Sequence, residues 1–204
     1  TSAAPAAATA AAAPVQCLTP PQVAAFRSIY AGPRDSQGHT LYPGPALGSE
    51  PGWIGTLASR DERPPLFEGF MTELFRYLAF FEDPGPAWRL EDFDFDRDPP
   101  RLGAMAQIFS AANPDLGEFR ARGGKLIVYH GWGDAVVSPQ ATVDYYELAA
   151  RTQGGLAALR GFARLYMIPG MGHCGGGDGA GAIDYLEALE AWRERDLAPD
   201  ALIG

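Results

Sequence analysis

The sequence predicts an α/β protein: parallel strands joined by crossover helices, preceded by an irregular, helix-containing segment. Three observations point there. After Asn113 the patterns run strand, helix, strand, helix, and parallel strands need long crossovers that are usually helical. Residues 33–65 instead carry many Gly and Pro with little periodicity, as long functional loops do. Residues 1–16, TSAAPAAATAAAAPVQ, are low in complexity, and Pro5 and Pro14 interrupt the helix that alanine favours. The organisation expected is a linker at 1–16, a second segment at 17–112 and the α/β unit at 113–204.

Each element has its own local reason. In LTPPQVAAFRSIYAGP, Thr19 can cap a helix, Pro20 suits its first turn, and Gly32-Pro33 stops it. Val23, Phe26, Ile29 and Tyr30 mark its apolar face. LFEGFMTELFRYLAFF (66–81) reads as a second, strongly apolar helix. EDFDFDRD (91–98) alternates acid and aromatic, the period of a short exposed strand. A glycine pair precedes a buried-type strand from Lys125 to Tyr129. Ser138 and Pro139 open a helix at 138–151 with Val143, Tyr146 and Leu148 as packing residues. FARLYMIPGMGH (162–173) is a strand running into a loop, and GAIDYLEALEAWRER (181–195) an amphipathic helix.

Composition removes several function classes. The net charge is −9, and of 16 basic residues only Lys125 is a lysine; nucleic-acid binding needs a basic surface. No apolar run reaches bilayer length and no charged-then-apolar leader opens the sequence, so neither nucleic acid nor membrane is an expected partner. Two cysteines, Cys17 and Cys174, could pair with each other, pair elsewhere, or remain buried thiols.

The chemistry concentrates after the strands. In MIPGMGHCGGGDG a short apolar run ends in a glycine-rich loop holding His173 beside Cys174, and Asp134 lies just past the preceding strand. Loops at the carboxyl ends of parallel strands are where α/β proteins place their chemistry. The two residues are 39 apart, about one crossover unit, so Asp134 can hold the His173 tautomer and stabilise its imidazolium. Acid before base is also the chain order of α/β-hydrolases, in which the nucleophile comes first. The plain alternative is a loop histidine satisfied by its surroundings and an aspartate that turns the chain. A metal centre of His130, Asp134 and His173 is a third reading, disfavoured because i,i+4 spacing aligns ligands on a helix and here a strand becomes a loop at Gly131. DFDFDRD begins like a calcium loop, but Arg97 stands where such a loop needs Gly and Gly103 where it needs Glu.

GGKLIVYHGWGDAVVSPQATVDYY followed by RLYMIPGMGHCGGG resembles the C-terminal part of the tannase and feruloyl esterase family, and CLTPPQVAAFRSIYAGPRDSQGHTLYPG with GSEPGW resembles its lid region. The resemblance runs from about Cys17 to the end. It implies the C-terminal portion of an α/β-hydrolase fold, residues 113–204, behind a lid segment at 17–112. It implies a secreted or periplasmic serine esterase acting on small aromatic esters such as gallates or hydroxycinnamates, with Asp134 as triad acid and His173 as general base. It also implies that Cys174 is half of a disulfide to a cysteine beside the nucleophile, that Cys17 has its own upstream partner, and that the lid aromatics Tyr30, Tyr42 and Trp53 are candidates to line the pocket. The family's calcium site would lie upstream, so no cofactor is expected in this chain. No serine here sits in a G-x-S-x-G elbow: Leu47 and Pro51 flank Ser49, Arg34 and Gly38 flank Ser36. The nucleophile is therefore expected on a missing N-terminal half or partner chain carrying a Cys-Ser motif, and these residues alone should be inactive. A non-catalytic half-hydrolase assembly module is the alternative.

Overall fold

A computed structural model describes residues 17–59 and 61–203; the linker expected at 1–16 lies outside the described residues. The first helix, α1 (Pro20–Ala31), starts where its signals put it. Gln22 Oε1 accepts the Thr19 amide at 2.8 Å, satisfying a donor that a helix start leaves free. Of its expected apolar face, Val23, Phe26 and Tyr30 are half-buried and Ile29 is exposed.

Helix α2 (Leu66–Leu74) continues into a π-helical turn at Phe75–Ala79. That turn delivers Phe75 into a ring cluster with Phe80, Trp88 and Phe93, with centroids 5.1 to 5.9 Å from Phe75. Arg76 ties the cluster to the chain by donating Nε and Nη2 to the Trp88 carbonyl.

The strand expected at 91–98 does not form. Residues Leu90–Asp92 make a 3₁₀ turn, and the acids bond locally. Asp94 Oδ1 accepts the amides of Asp96 and Arg97 at 2.9 and 3.0 Å. Asp98, fully buried, accepts the Asp94 amide and pairs with Arg97 and Arg101. Side-chain acceptors that serve neighbouring amides compete with strand pairing, and here they win. The Arg97 guanidinium, burial notwithstanding, holds the Asp98 carboxyl well below the usual carboxylate range.

Short helices α3 (Gly103–Phe109) and α4 (Gly117–Ala121) lead to strand β1 (Leu126–Gly131). Helices α5 (Pro139–Thr152) and α6 (Leu156–Arg160) then carry the chain to β2 (Ala163–Ile168), and α7 (Tyr185–Arg195) follows. The strands are parallel, in register from Leu126 opposite Ala163 to Gly131 opposite Ile168. The connecting helices bury Tyr146, Ala149, Ala150 and Leu159 against Phe162 and Ala163. The Tyr146 hydroxyl donates to the Ala163 carbonyl at 2.8 Å, so the one polar atom that this ring brings inward is satisfied. Leu148 does not join the core. It follows Tyr146 by two residues, about 200° around the helix, and is exposed. Full burial of an aliphatic side chain such as Leu159 stabilises by about 1.5–3 kcal/mol.

Candidate active site

Both loops of interest leave the same ends of the paired strands, and their backbones lock together. The Trp132 amide donates to the Ile168 carbonyl and the Gly133 amide to Met171, both at 2.9 Å. Gly131 makes this contact possible: a Cβ there would stand 2.1 Å from the Met171 carbonyl oxygen. Beyond Met171 the chain folds back on itself. Gly172 donates to the Gly176 carbonyl at 3.0 Å, Met171 bridges Gly177, and Gly177, at φ +78°, lies against the Gly170 carbonyl, where a side chain would collide. His173 and Cys174 occupy the tip of this turn.

The result brings Asp134 and His173 together, with Nδ1 of the histidine 3.0 Å from Oδ2 of the aspartate. Asp134 is 3 % exposed. Its Oδ1 accepts the amides of Val136 and Val137 at 2.7 and 3.0 Å. Its Oδ2 accepts a second imidazole, His130 Nε2, at 2.9 Å. Burial alone would raise the carboxyl; the hydrogen bonds from His173, the two amides and His130 outweigh it and hold Asp134 below its ordinary value. His173 remains half-exposed, and among the described residues its Nε2 makes no hydrogen bond. It borders a recess of about 220 Å³ shared with Tyr129, Val137, Met171 and Cys174. An oriented imidazole with one nitrogen on a buried carboxylate and the other open can move a proton to or from a molecule in that recess.

His130, Asp134 and His173 thus do meet, but the two imidazoles bond one carboxylate oxygen rather than converging on a shared point. Among the described residues no group of three or more His, Cys, Asp or Glu is arranged to hold a metal ion. The sequence reading considered His130 only as a ligand and missed its contact with Asp134; the signal was its position next to the strand end, four residues before the acid. Thr142, which bonds His130 Nδ1 at 2.7 Å, carried no signal of its own.

Of the three aromatics proposed for the pocket, Trp53 and Tyr30 pack together and Tyr42 lines a separate cavity. Trp53 is buried, stacked on Phe26 at 5.3 Å, with its indole N–H on Ser49 Oγ. Tyr30 packs beside it and donates to Glu50; burial and that carboxylate push its hydroxyl up to about 12. Tyr42 lines a larger, apolar cavity of about 720 Å³ with Leu57, Phe67, Met71 and Phe93. Burial raises its hydroxyl, the Ser138 amide opposes that, and the Asp134 charge adds to it. Ser138 Oγ donates to the Gly44 carbonyl at 2.8 Å, stitching this loop to the start of α5. Cys17 and Cys174 are both exposed free thiols, not bonded to each other.

Residues 2–204 match the tannase and feruloyl esterase family. The chain belongs to that family. A mono(2-hydroxyethyl) terephthalate hydrolase of Piscinibacter sakaiensis is 37% identical over 214 residues, covering 91% of this chain and 35% of that one. An uncharacterized esterase of Xanthomonas campestris is 31% identical over 224 residues, covering 92% and 39%. The crystal structure of feruloyl esterase B from Aspergillus oryzae superposes with a TM-score of 0.74 at 28% identity, over 90% of this chain and 38% of that one. The chain therefore spans little more than a third of the length of these relatives. A tannin acyl hydrolase from Aspergillus niger, TM-score 0.66 at 22% identity over 89% and 36%, shares the fold. The architecture fits a C-terminal portion of this family's α/β-hydrolase-type fold.

Proposed function

We propose that this chain is the acid- and base-bearing part of a serine-type carboxylic ester hydrolase acting on esters of aromatic acids, its serine nucleophile lying outside these residues. The observation that carries the reading is the Asp134–His173 pair: a buried, fully hydrogen-bonded carboxylate orienting a half-exposed imidazole at a recess. The family supports ester hydrolysis, and terephthalate and feruloyl, the acyl groups named for its relatives, are aromatic.

The chemistry follows from the geometry. His173 Nε2 takes the serine hydroxyl proton as that oxygen attacks the ester carbonyl, and the imidazolium so formed keeps Nδ1–H on Asp134. The same proton passes to the departing alcohol as the tetrahedral intermediate collapses to an acyl-enzyme. Water then gives its proton to His173 and attacks the acyl carbon, and the imidazolium returns that proton to the serine oxygen as the acid leaves. Tyr42, which lines the larger apolar cavity, is the lid side chain proposed to meet the aromatic acyl group, with Tyr30 and Trp53 as further candidates. Cys174, next to the base and exposed, is proposed to bond a cysteine beside the nucleophile. The partner this requires is the N-terminal half of the hydrolase, and the setting secreted or periplasmic, where such a disulfide persists. The two-stranded sheet and exposed Phe70, Phe81 and Ile108 suit a chain that packs against more protein.

The test is aryl-ester turnover by the 204-residue chain alone and together with a segment carrying the Cys-Ser elbow, with a serine-directed phosphonate as label. Turnover and labelling of the added segment's serine are expected only in the assembled protein. Robust turnover with a labelled serine inside this chain would overturn the division of the triad.

A further inference from the structure

His130 is an inward titratable group that the mechanism above leaves without a task. Its side chain is 13% exposed, and it is bonded at both ring nitrogens. Nε2 lies 2.9 Å from Asp134 Oδ2 and Nδ1 lies 2.7 Å from Thr142 Oγ1. The contact with Asp134 sets the proton at one ring nitrogen. A carboxylate only accepts, so Nε2 carries hydrogen; a neutral ring then accepts at Nδ1, and the Thr142 hydroxyl is the donor there. Two other helix threonines spend that hydrogen on the carbonyl four residues back: Thr72 on Glu68 and Thr152 on Leu148. Thr142 lies against His130 Nδ1 instead, placed to donate to it.

We propose that His130 is a positioning residue of the catalytic centre, a second imidazole that clamps Asp134 in the orientation His173 needs. This rests on the serine-esterase reading above. Oδ1 is held by the amides of its own turn; His130 secures Oδ2 from β1, and His173 takes the remaining lone pair. A clamp that donates from Nε2 as a neutral ring adds no like charge when His173 becomes an imidazolium. By drawing density from Oδ2 it also keeps the base from binding its proton too tightly to release it to the alcohol. The titratable groups around His130 are Asp134, His173 and Cys174 on the two loops, Tyr129 beside it on β1 and Tyr42 from the lid; α5 sets the uncharged Thr142 against it, and its β2 neighbour is Met167.

The experiment uses the protein that joins this chain to its nucleophile segment. With an aryl ester, His130→Ala should lower kcat about tenfold with little change in KM, the scale of a modest misplacement of a reacting group. It should also move the acid limb of the pH–rate profile upward, because the freed carboxylate stabilises the His173 imidazolium. His130→Gln, whose amide can donate to the same oxygen, should return the limb and most of kcat. In 15N-histidine spectra of the unaltered protein, His130 should show a protonated Nε2 and an accepting Nδ1 at neutral pH. An unmoved limb, a Gln variant no better than Ala, or a His130 with bare Nε2 would overturn the proposal. If the assembled wild type hydrolyses no ester, the esterase reading fails, and the tautomer in the spectrum still decides whether His130 holds Asp134. If the Ala variant does not fold, the Gln variant and the spectrum decide.

Discussion

The residues before Asn113 and those after it are held together by different means. After it, backbone pairing dominates: two parallel strands in unbroken register, helices packed on them, and loops that exchange amide–carbonyl bonds. Before it, side chains do that work: rings around Phe75 and Trp53, guanidinium on carbonyl at Arg76, carboxylate on amide at Asp94 and Asp98. Backbone ladders repeat at fixed spacings and can place a proton donor to a few tenths of an ångström. Side-chain clusters can be resized one residue at a time, which suits the proposed role of the apolar cavity in receiving an acyl group. The fixed chemistry sits on the first kind of structure, and the adjustable lining on the second.

The hardest blow to this contrast should fall on the fixed side. In the assembled protein, Asp134→Asn keeps the shape but leaves His173 in the wrong tautomer, and aryl-ester kcat should drop by about 10⁴. Tyr42→Ala should change KM and substrate preference far more than kcat; an equal collapse of kcat would erase the division. For stability, Leu159→Ala empties a fully buried site and should cost about 2–5 kcal/mol. Ile108→Ala, at a side chain 70% exposed in this chain, should stay within about 0.5 kcal/mol in the 204-residue chain alone, both read as shifts in denaturant midpoint. Acid titration sharpens the contrast further. Asp98 is depressed in the folded state, so its contribution is present above the unfolded carboxyl value of about 3.9 and is lost as pH falls below it. Fluorescence of Trp88 should therefore report loosening below about pH 4, with a weaker pH dependence in Asp98→Asn. A modest effect is expected at α7, where Asp184 Oδ1 accepts the Glu187 amide at 2.8 Å; Asp184→Ala should cost about 1 kcal/mol in thermal or denaturant unfolding.

How much could be read in advance divides along the same line. Pro20 and Pro139 announced their helices because a proline fits the first turn and little else nearby. Lys125 to Tyr129 reads as a strand because glycines bound a β-rich run, and β1 forms there over Leu126–Gly131. Asp134 and His173 followed from strand ends. What stayed hidden depended on where side chains turn. The acid–aromatic alternation at 91–98 has a strand's period, but a strand also needs an edge to pair with, and Asp94 offered the backbone a nearer partner. His130 was legible as a residue type and as a spacing, yet its role depends on a turn at Gly131–Gly133 that carries Asp134 back over the strand it has just left. Helices α3, α4 and α6 are seven residues or fewer, too short for periodicity to stand out from their flanks.

The glycine at 131 has a consequence for how such a protein can diversify. With no side chain between the Asp134 loop and the Met171 carbonyl, the gap between acid and base is gauged by peptide against peptide. On the esterase reading proposed above, residues that line the recess without belonging to the pair, such as Val137, can then be exchanged to admit a bulkier or more polar ester while the spacing of Asp134 and His173 stays as it was. A lineage bearing this contact can explore new substrates by changing its lining, without having to rediscover its catalyst each time.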